Sequence, residues 1–102
     1  MVILRDDVAR MAFEGEALAP VTPGEVLREE YMRPLGLSAR ALAREMQVPP
    51  NRIAEIVTGQ RAISAQTAIL LGRRFGTSAR FWMSLQVAHD LALAERAMLS
   101  AA

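Results

Sequence analysis

Ser38-Ala39-Arg40-Ala41-Leu42-Ala43-Arg44-Glu45-Met46-Gln47-Val48-Pro49-Pro50-Asn51-Arg52-Ile53-Ala54-Glu55-Ile56-Val57-Thr58-Gly59 is the stretch that decides the fold. Two short amphipathic segments flank a tight connection. Leu42, Ala43 and Met46 share one face of the first segment, and Ile53, Ile56 and Val57 share one face of the second. Gln47-Val48-Pro49 between them is too short for anything but a turn. Two helices joined this way form a helix-turn-helix, in which the second helix lies in the major groove of DNA. Ala43 is small enough to let the helices cross closely, and Ile53 supplies the matching apolar contact.

The residues at the start of the second helix are the ones expected to point at base edges: Pro50, Asn51, Arg52 and Glu55. Asn pairs bidentately with adenine, Arg with guanine, and a carboxylate accepts from cytosine. Ser38, Arg40, Arg44, Thr58, Gln60 and Arg61 suit contacts to the DNA backbone. Arg44 suits a carboxylate partner equally well. Charge is distributed to match. Residues 1–37 carry four Arg against seven acids, residues 38–80 carry seven Arg against two, and residues 81–102 sum to −1. The net charge of +1 therefore conceals a positive field centred on the motif and the segment after it.

Outward from the motif, helix signals continue. Thr22-Pro23-Gly24-Glu25 combines an N-cap hydroxyl, Pro at the first helical position and a Glu that completes a capping box. That helix is predicted to reach about Arg33, stopped by Pro34 and Gly36, with Val26, Leu27 and Tyr31 inward. Ser38 caps the next helix, which runs to Met46 or Gln47. Pro49 or Pro50 opens the third, closed by Gly59. Ser64 caps a fourth carrying Ile69, Leu70, Leu71 and Phe75 and closed by Gly76. Thr77 or Ser78 caps a last helix reaching Ala97. Strand signals are almost absent, so the expected class is all-α, with about five helices in one domain over residues 22–97. Residues 1–21 read less clearly. A short helix from Asp6 to Phe13, with Val8, Met11 and Ala12 on one side, is interrupted by Gly15 and Pro20.

The chain of 102 residues suits one small domain. It has no cysteine, which excludes disulfides and thiolate metal sites. No apolar run approaches the roughly 20 residues of a membrane span, and Met1-Val2-Ile3-Leu4-Arg5-Asp6-Asp7 lacks the order of a signal peptide, so a cytoplasmic setting is expected. His89 is the single histidine. Its neighbour Asp90 does not share its helix face, so neither catalysis nor a metal site is expected, and no cofactor. His89 is read as a surface or interface residue. Phe81, Leu85, Ala88 and Ala92 recur at helical spacing with Trp82 on the flank, which suits core or dimer contacts. Asp6, Asp7, Glu29 and Glu30 read as solvated surface, or as a docking face for a basic partner.

Pro23-Gly24-Glu25-Val26-Leu27-Arg28-Glu29-Glu30, Pro34-Leu35-Gly36-Leu37-Ser38, Ala41-Leu42-Ala43, Arg52-Ile53 and Gly59 resemble the HigA (VapI-like) family of addiction-module antitoxins. The most diagnostic part is Phe75-Gly76-Thr77-Ser78, followed by Phe81-Trp82, Leu85-Gln86 and Asp90-Leu91. The resemblance covers roughly residues 22–92. It implies the five-helix fold of XRE-type, lambda-repressor-like DNA-binding domains. It also implies a homodimer on a palindromic operator in its own promoter, and a second partner: a HigB-type toxin, a ribosome-dependent endoribonuclease encoded alongside. On this reading the last helix pairs with its mate, and the dimer interface holds Phe81, Trp82, Leu85, Ala88, His89 and Ala92. An orphan XRE-type regulator without a toxin is the alternative. Three positions depart from the pattern. Gln47 stands where many such motifs carry Gly, which calls for a strained residue or a different path. Pro49-Pro50 removes two backbone donors, and Ala39 stands where related repressors often place Gln.

Overall fold

A computed structural model describes residues 21–101. Among these residues the chain forms helices joined by short turns, with no strand. Helix α1 begins as Pro23–Val26, widens into a π-helical stretch Leu27–Met32 and tightens into a 3-10 turn Arg33–Leu35. Helices α2 (Ala39–Met46), α3 (Arg52–Val57), α4 (Ala65–Phe75) and α5 (Ala79–Ala101) follow. The short helix expected between Asp6 and Phe13 lies outside the described residues.

Local chemistry explains the boundaries. At the start of α1 the Thr22 hydroxyl accepts from the Glu25 N–H at 3.0 Å, and the Glu25 carboxylate accepts from the Thr22 N–H at 2.9 Å. The capping box is thus closed in both directions. Where α1 ends, the Arg33 N–H donates to the carbonyl of Arg28, five residues back. The wider turn carries the Glu30 carbonyl away from the ring of Pro34, which an α-helical carbonyl four residues back would meet. Gly36 then reverses the chain at φ 60°. Ser38 caps α2 by accepting from the Ala41 N–H, and Ser64 caps α4 by accepting from the Thr67 N–H.

Two helix limits differ from expectation. Helix α3 begins at Arg52 rather than at Pro49 or Pro50. A residue preceding proline avoids the α region, so Pro49 stays extended and Pro50-Asn51 make a turn in which Pro49 accepts from the Arg52 N–H at 3.0 Å. Helix α5 runs to Ala101 rather than Ala97. Its distal sequence is rich in Ala and Leu and contains no Gly or Pro, so nothing stops it. Of the two candidate caps, Ser78 accepts from the Phe81 N–H at 3.0 Å. The Thr77 hydroxyl instead accepts from Trp82 Nε1 at 2.7 Å.

The core is shared by all five helices. Leu27, Leu42, Ala43, Ile53, Ala68, Leu71 and Trp82 have no exposed surface. Val26, Leu27 and Tyr31 are buried as expected; in α4 the buried residues are Thr67, Ala68, Leu71 and Gly72, while Ile69 faces outward. The Tyr31 ring ties α1 to the later helices, 5.1 Å from the Phe75 ring, 5.0 Å from Trp82 and 6.3 Å from Phe81. Such tilted and edge-on arrangements suit aromatic quadrupoles. Below them Gln86 acts as a buried clamp. Its Oε1 accepts from the Ile63 N–H at 2.8 Å and its Nε2 donates to Asp90 Oδ1 at 2.9 Å. A backbone donor that no helix can satisfy is thereby paired.

Two glycines are demanded by contact rather than by φ. A Cβ on Gly24 would lie 2.0 Å from the Ile56 carbonyl oxygen, so α1 crosses the backbone of α3 at this point. A Cβ on Gly72 would lie 2.7 Å from the Thr77 carbonyl oxygen, where α4 meets the chain entering α5.

Candidate nucleic-acid interface

Helix α3 presents two unlike sides. Ile53 and Ile56 are buried, whereas Asn51, Ala54 and Thr58 are exposed and Glu55 is half-buried beside them. The exposed residues recur at three- and four-residue spacing and so share a face. Asn51 occupies the N-cap position, yet its side chain makes no capping bond. Its amide is therefore available to a ligand. Arg52, one residue on, is half-buried.

Helix α2 supplies the flank. Arg40 and Arg44 stand one turn apart on its exposed side and, with Gln47, Val48 and Pro50, line an open groove of about 580 Å³. Arg40, Arg44, Arg52, Arg73 and Arg80 make no ion pair with another described residue. Of the other two arginines in residues 38–80, Arg74 pairs with Glu45 and Arg61 with Glu55. The Arg44 alternative of a carboxylate partner is therefore not what the structure adopts. Unpaired arginines along one rim give a cationic surface with guanidinium donors to spare.

The turn between α2 and α3 takes the strained option. Gln47 sits in the left-handed region at φ 57°, the one non-glycine residue with positive φ among those described. Its N–H donates to the Arg44 carbonyl and that of Val48 to the Ala43 carbonyl. These bonds close the end of α2 as a glycine would. The side chain is left exposed in the groove. Gln47 and Val48 were not among the residues expected at the interface. A glycine-like turn position with a long side chain was the signal that could have found Gln47.

The backbone-contact candidates divide by their hydrogen-bond state. A phosphate oxygen only accepts, so it needs a donor. The Ser38 hydroxyl accepts from Ala41, which leaves its proton available. The Thr58 hydroxyl already donates, to the Ala54 carbonyl at 3.0 Å and to that of Glu55 at 3.2 Å. It would have to rotate to serve a phosphate. The Glu55 carboxylate accepts from Arg61 Nε at 2.7 Å, so it is not an open acceptor for a cytosine amino group. Gln60 is exposed.

The expected dimer residues need correction. Trp82 is completely buried and Leu85 nearly so, within the protomer's own core. Neither has surface left to offer a second copy. The regular spacing that singled them out is the face of α5 turned toward Tyr31. Phe81 is half-buried in the same aromatic cluster, its ring centre 5.0 Å from that of Trp82. His89 lines a groove of about 200 Å³ against Thr22, Gly24 and Gln60, on a different side of α5 from Ala88. Ala88 and Ala92 are half-buried. The apolar residues α5 does expose are Val87, Leu91, Leu93, Met98 and Leu99. Arg80, Ser84, Val87, Leu91, Ala94 and Met98 follow one another at alternating four- and three-residue steps. That is the spacing of a seam between two helices.

Among the described residues no three His, Asp or Glu side chains gather to hold a metal ion, and no helix is long and apolar enough to cross a membrane.

A helix-turn-helix family model matches residues 28–82, more than half of the chain. Virulence-associated protein I of Dichelobacter nodosus is 54% identical over 76 residues, covering 74% of this chain and 70% of that protein. The antitoxin HigA-1 of Vibrio cholerae is 36% identical over 72 residues, covering 71% and 68%. Among solved structures, the Pseudomonas aeruginosa antitoxin HigA with the higBA promoter superposes with a TM-score of 0.75 at 49% identity, covering 76% of this chain and 85% of that one. The capped α1, the α2–α3 corner and the Trp82-centred core all fall within the matched span, and with them the chain belongs to the HigA (VapI-like) family of helix-turn-helix addiction-module antitoxins.

Proposed function

We propose that this chain is a dimeric repressor of its own operon and the antitoxin of a toxin–antitoxin pair whose toxin is a HigB-type mRNA-cleaving enzyme. The observation that carries the reading is the α2–α3 surface: unpaired Arg40 and Arg44 beside an uncommitted Asn51, on a chain 49% identical to an antitoxin HigA solved with promoter DNA. The mechanism is binding and not catalysis. Asn51 and Arg52 read base edges, with Pro50 and Gln47 against the groove wall. Ser38, Arg40, Arg44 and Gln60 hold the phosphates.

Two copies pair through the Val87, Leu91 and Met98 seam of α5. This sets their α3 helices on successive major-groove faces about 34 Å apart along a palindrome. Repression and toxin capture both place the protein in the cytoplasm.

The test is to express the neighbouring reading frame from an inducible promoter, with and without this chain, and to measure binding of this chain to its own upstream DNA. Growth arrest rescued by this chain, together with a sequence-specific complex, supports both halves. Arrest without rescue, or no toxicity at all, removes the antitoxin half. A specific complex in that case leaves a repressor without a toxin.

A further inference from the structure

Glu55 accepts from four donors at once. Its backbone carbonyl takes the N–H of Gln60 at 2.8 Å, the N–H of Arg61 at 3.2 Å and the Thr58 hydroxyl at 3.2 Å. Its carboxylate takes Arg61 Nε at 2.7 Å. The residue in the middle of the exposed α3 face is therefore bound by main chain and side chain to the loop that follows.

An uncompensated carboxylate there would meet a polyanion. Its repulsion by phosphate grows as the interface dries and the local dielectric falls. The Arg61 guanidinium, in contact with it, removes most of that charge. Only Nε is used in the contact, so the two terminal amino groups of Arg61 keep their protons for other acceptors. The pair is about half exposed, on the side of α3 that carries Asn51 and Thr58.

We propose that Glu55 and Arg61 act as one unit on the DNA face: Arg61 cancels the Glu55 carboxylate, and Glu55 holds the Arg61 guanidinium so that its terminal amino groups serve the phosphate backbone. Glu55 is then a positioning residue and not a reader of cytosine. Losing Arg61 costs twice, once for the phosphate contact and once for the carboxylate it uncovers. The inference rests on the DNA-binding reading above.

The experiment is a double-mutant cycle in the full chain: unaltered protein, Glu55→Gln, Arg61→Ala and the double variant. Affinity is read by fluorescence anisotropy on a labelled duplex from the chain's own upstream region, at low and moderate salt. Single-base variants of that duplex are measured in parallel, and thermal melting confirms that each protein is folded. Arg61→Ala is expected to weaken binding roughly tenfold, a size typical of coupled contacting residues. Glu55→Gln in the Arg61→Ala background is expected to restore a several-fold part of the loss. Glu55→Gln alone should leave the ranking of duplex variants unchanged, and Arg61→Lys should retain more affinity than Arg61→Ala.

Losses that simply multiply in the double variant would overturn the proposal. So would a Glu55→Gln protein whose preference changes at one base pair, since that would make Glu55 a reader. If the double variant does not fold, Glu55→Ala with Arg61→Ala replaces it under the same criteria. Failure of the unaltered protein to bind the duplex would remove the DNA-binding reading itself; binding with additive variants removes the Glu55–Arg61 unit alone.

Discussion

Gln47 holds the turn of the helix-turn-helix at φ 57°, a conformation that costs an L-residue about 1–2 kcal/mol where glycine would sit at ease. Glycine returns part of that gain through its larger unfolded-state entropy. Gln47→Gly is therefore expected to stabilise the protein by about 0.5–1 kcal/mol, read from the urea midpoint. If the midpoint falls instead, the Gln47 side chain does more in the groove than the strain costs. Gly24 is the reverse case. A methyl group there would overlap the Ile56 carbonyl and push α1 off α3, so Gly24→Ala should destabilise by about 1–3 kcal/mol or more. Arg52→Ala is expected to cost about 1–3 kcal/mol in operator binding and to relax preference at one base pair. A panel of single-base duplexes measured by anisotropy checks this, and a uniform loss across the panel would reassign Arg52 to the phosphates.

Among the elements, α1 carries the clearest electrostatic device. Glu29 accepts from Arg28 Nε at 2.8 Å and from Arg33 one turn later. Its carboxyl is held below the ordinary value, first by the Arg28 hydrogen bond and then by the charges of Arg33 and Arg28. A folded-state pKa lowered in this way contributes stability above the unfolded value, and that contribution is lost as pH falls through the lowered one. Unfolding midpoints of the unaltered protein and Glu29→Gln should therefore differ near neutrality and converge in acid. An equal gap at all pH values would show that packing, not charge, separates them. The same contacts bear on the acidic face proposed from sequence. Glu29 is already partnered by two arginines, which leaves it less negative as a docking surface, while Asp6 and Asp7 lie outside the described residues.

For the whole molecule, α5 decides the assembly. Its proximal half is anchored by Trp82, Leu85 and Gln86, and its distal half projects with Leu91, Met98 and Leu99 open to solvent. A helix apolar on more than one side is ordinarily covered by a partner. Leu91→Asp should leave the protomer folded, because Leu91 is 52% exposed, yet convert a dimer to a monomer by light scattering. Binding to a palindrome should fall with it, while binding to a half-site changes little. A Leu91→Asp protein that remains dimeric would place the interface elsewhere on the surface.

Ser, Thr, Pro and Gly at the ends of amphipathic runs determined the helices, because caps and left-handed turns depend on residues within a few positions of one another. Thr22, Ser38, Ser64 and Gly76 all act where local chemistry put them. The helix-turn-helix, and with it Asn51 and the Arg40–Arg44 flank, was legible for the same reason. What only the tertiary structure decided were contacts between residues distant in sequence. Helical spacing marks Phe81, Trp82 and Leu85 as one apolar face, but it cannot say whether Tyr31 or a second protomer covers that face. Nor does any local pattern reveal that Gly24 meets the Ile56 carbonyl, or that Gln86 receives the Ile63 N–H. Arg61 and Glu55, six positions apart across the end of a helix, sit at the boundary. Each was visible as a charge, but their pairing depended on the path of the loop between them.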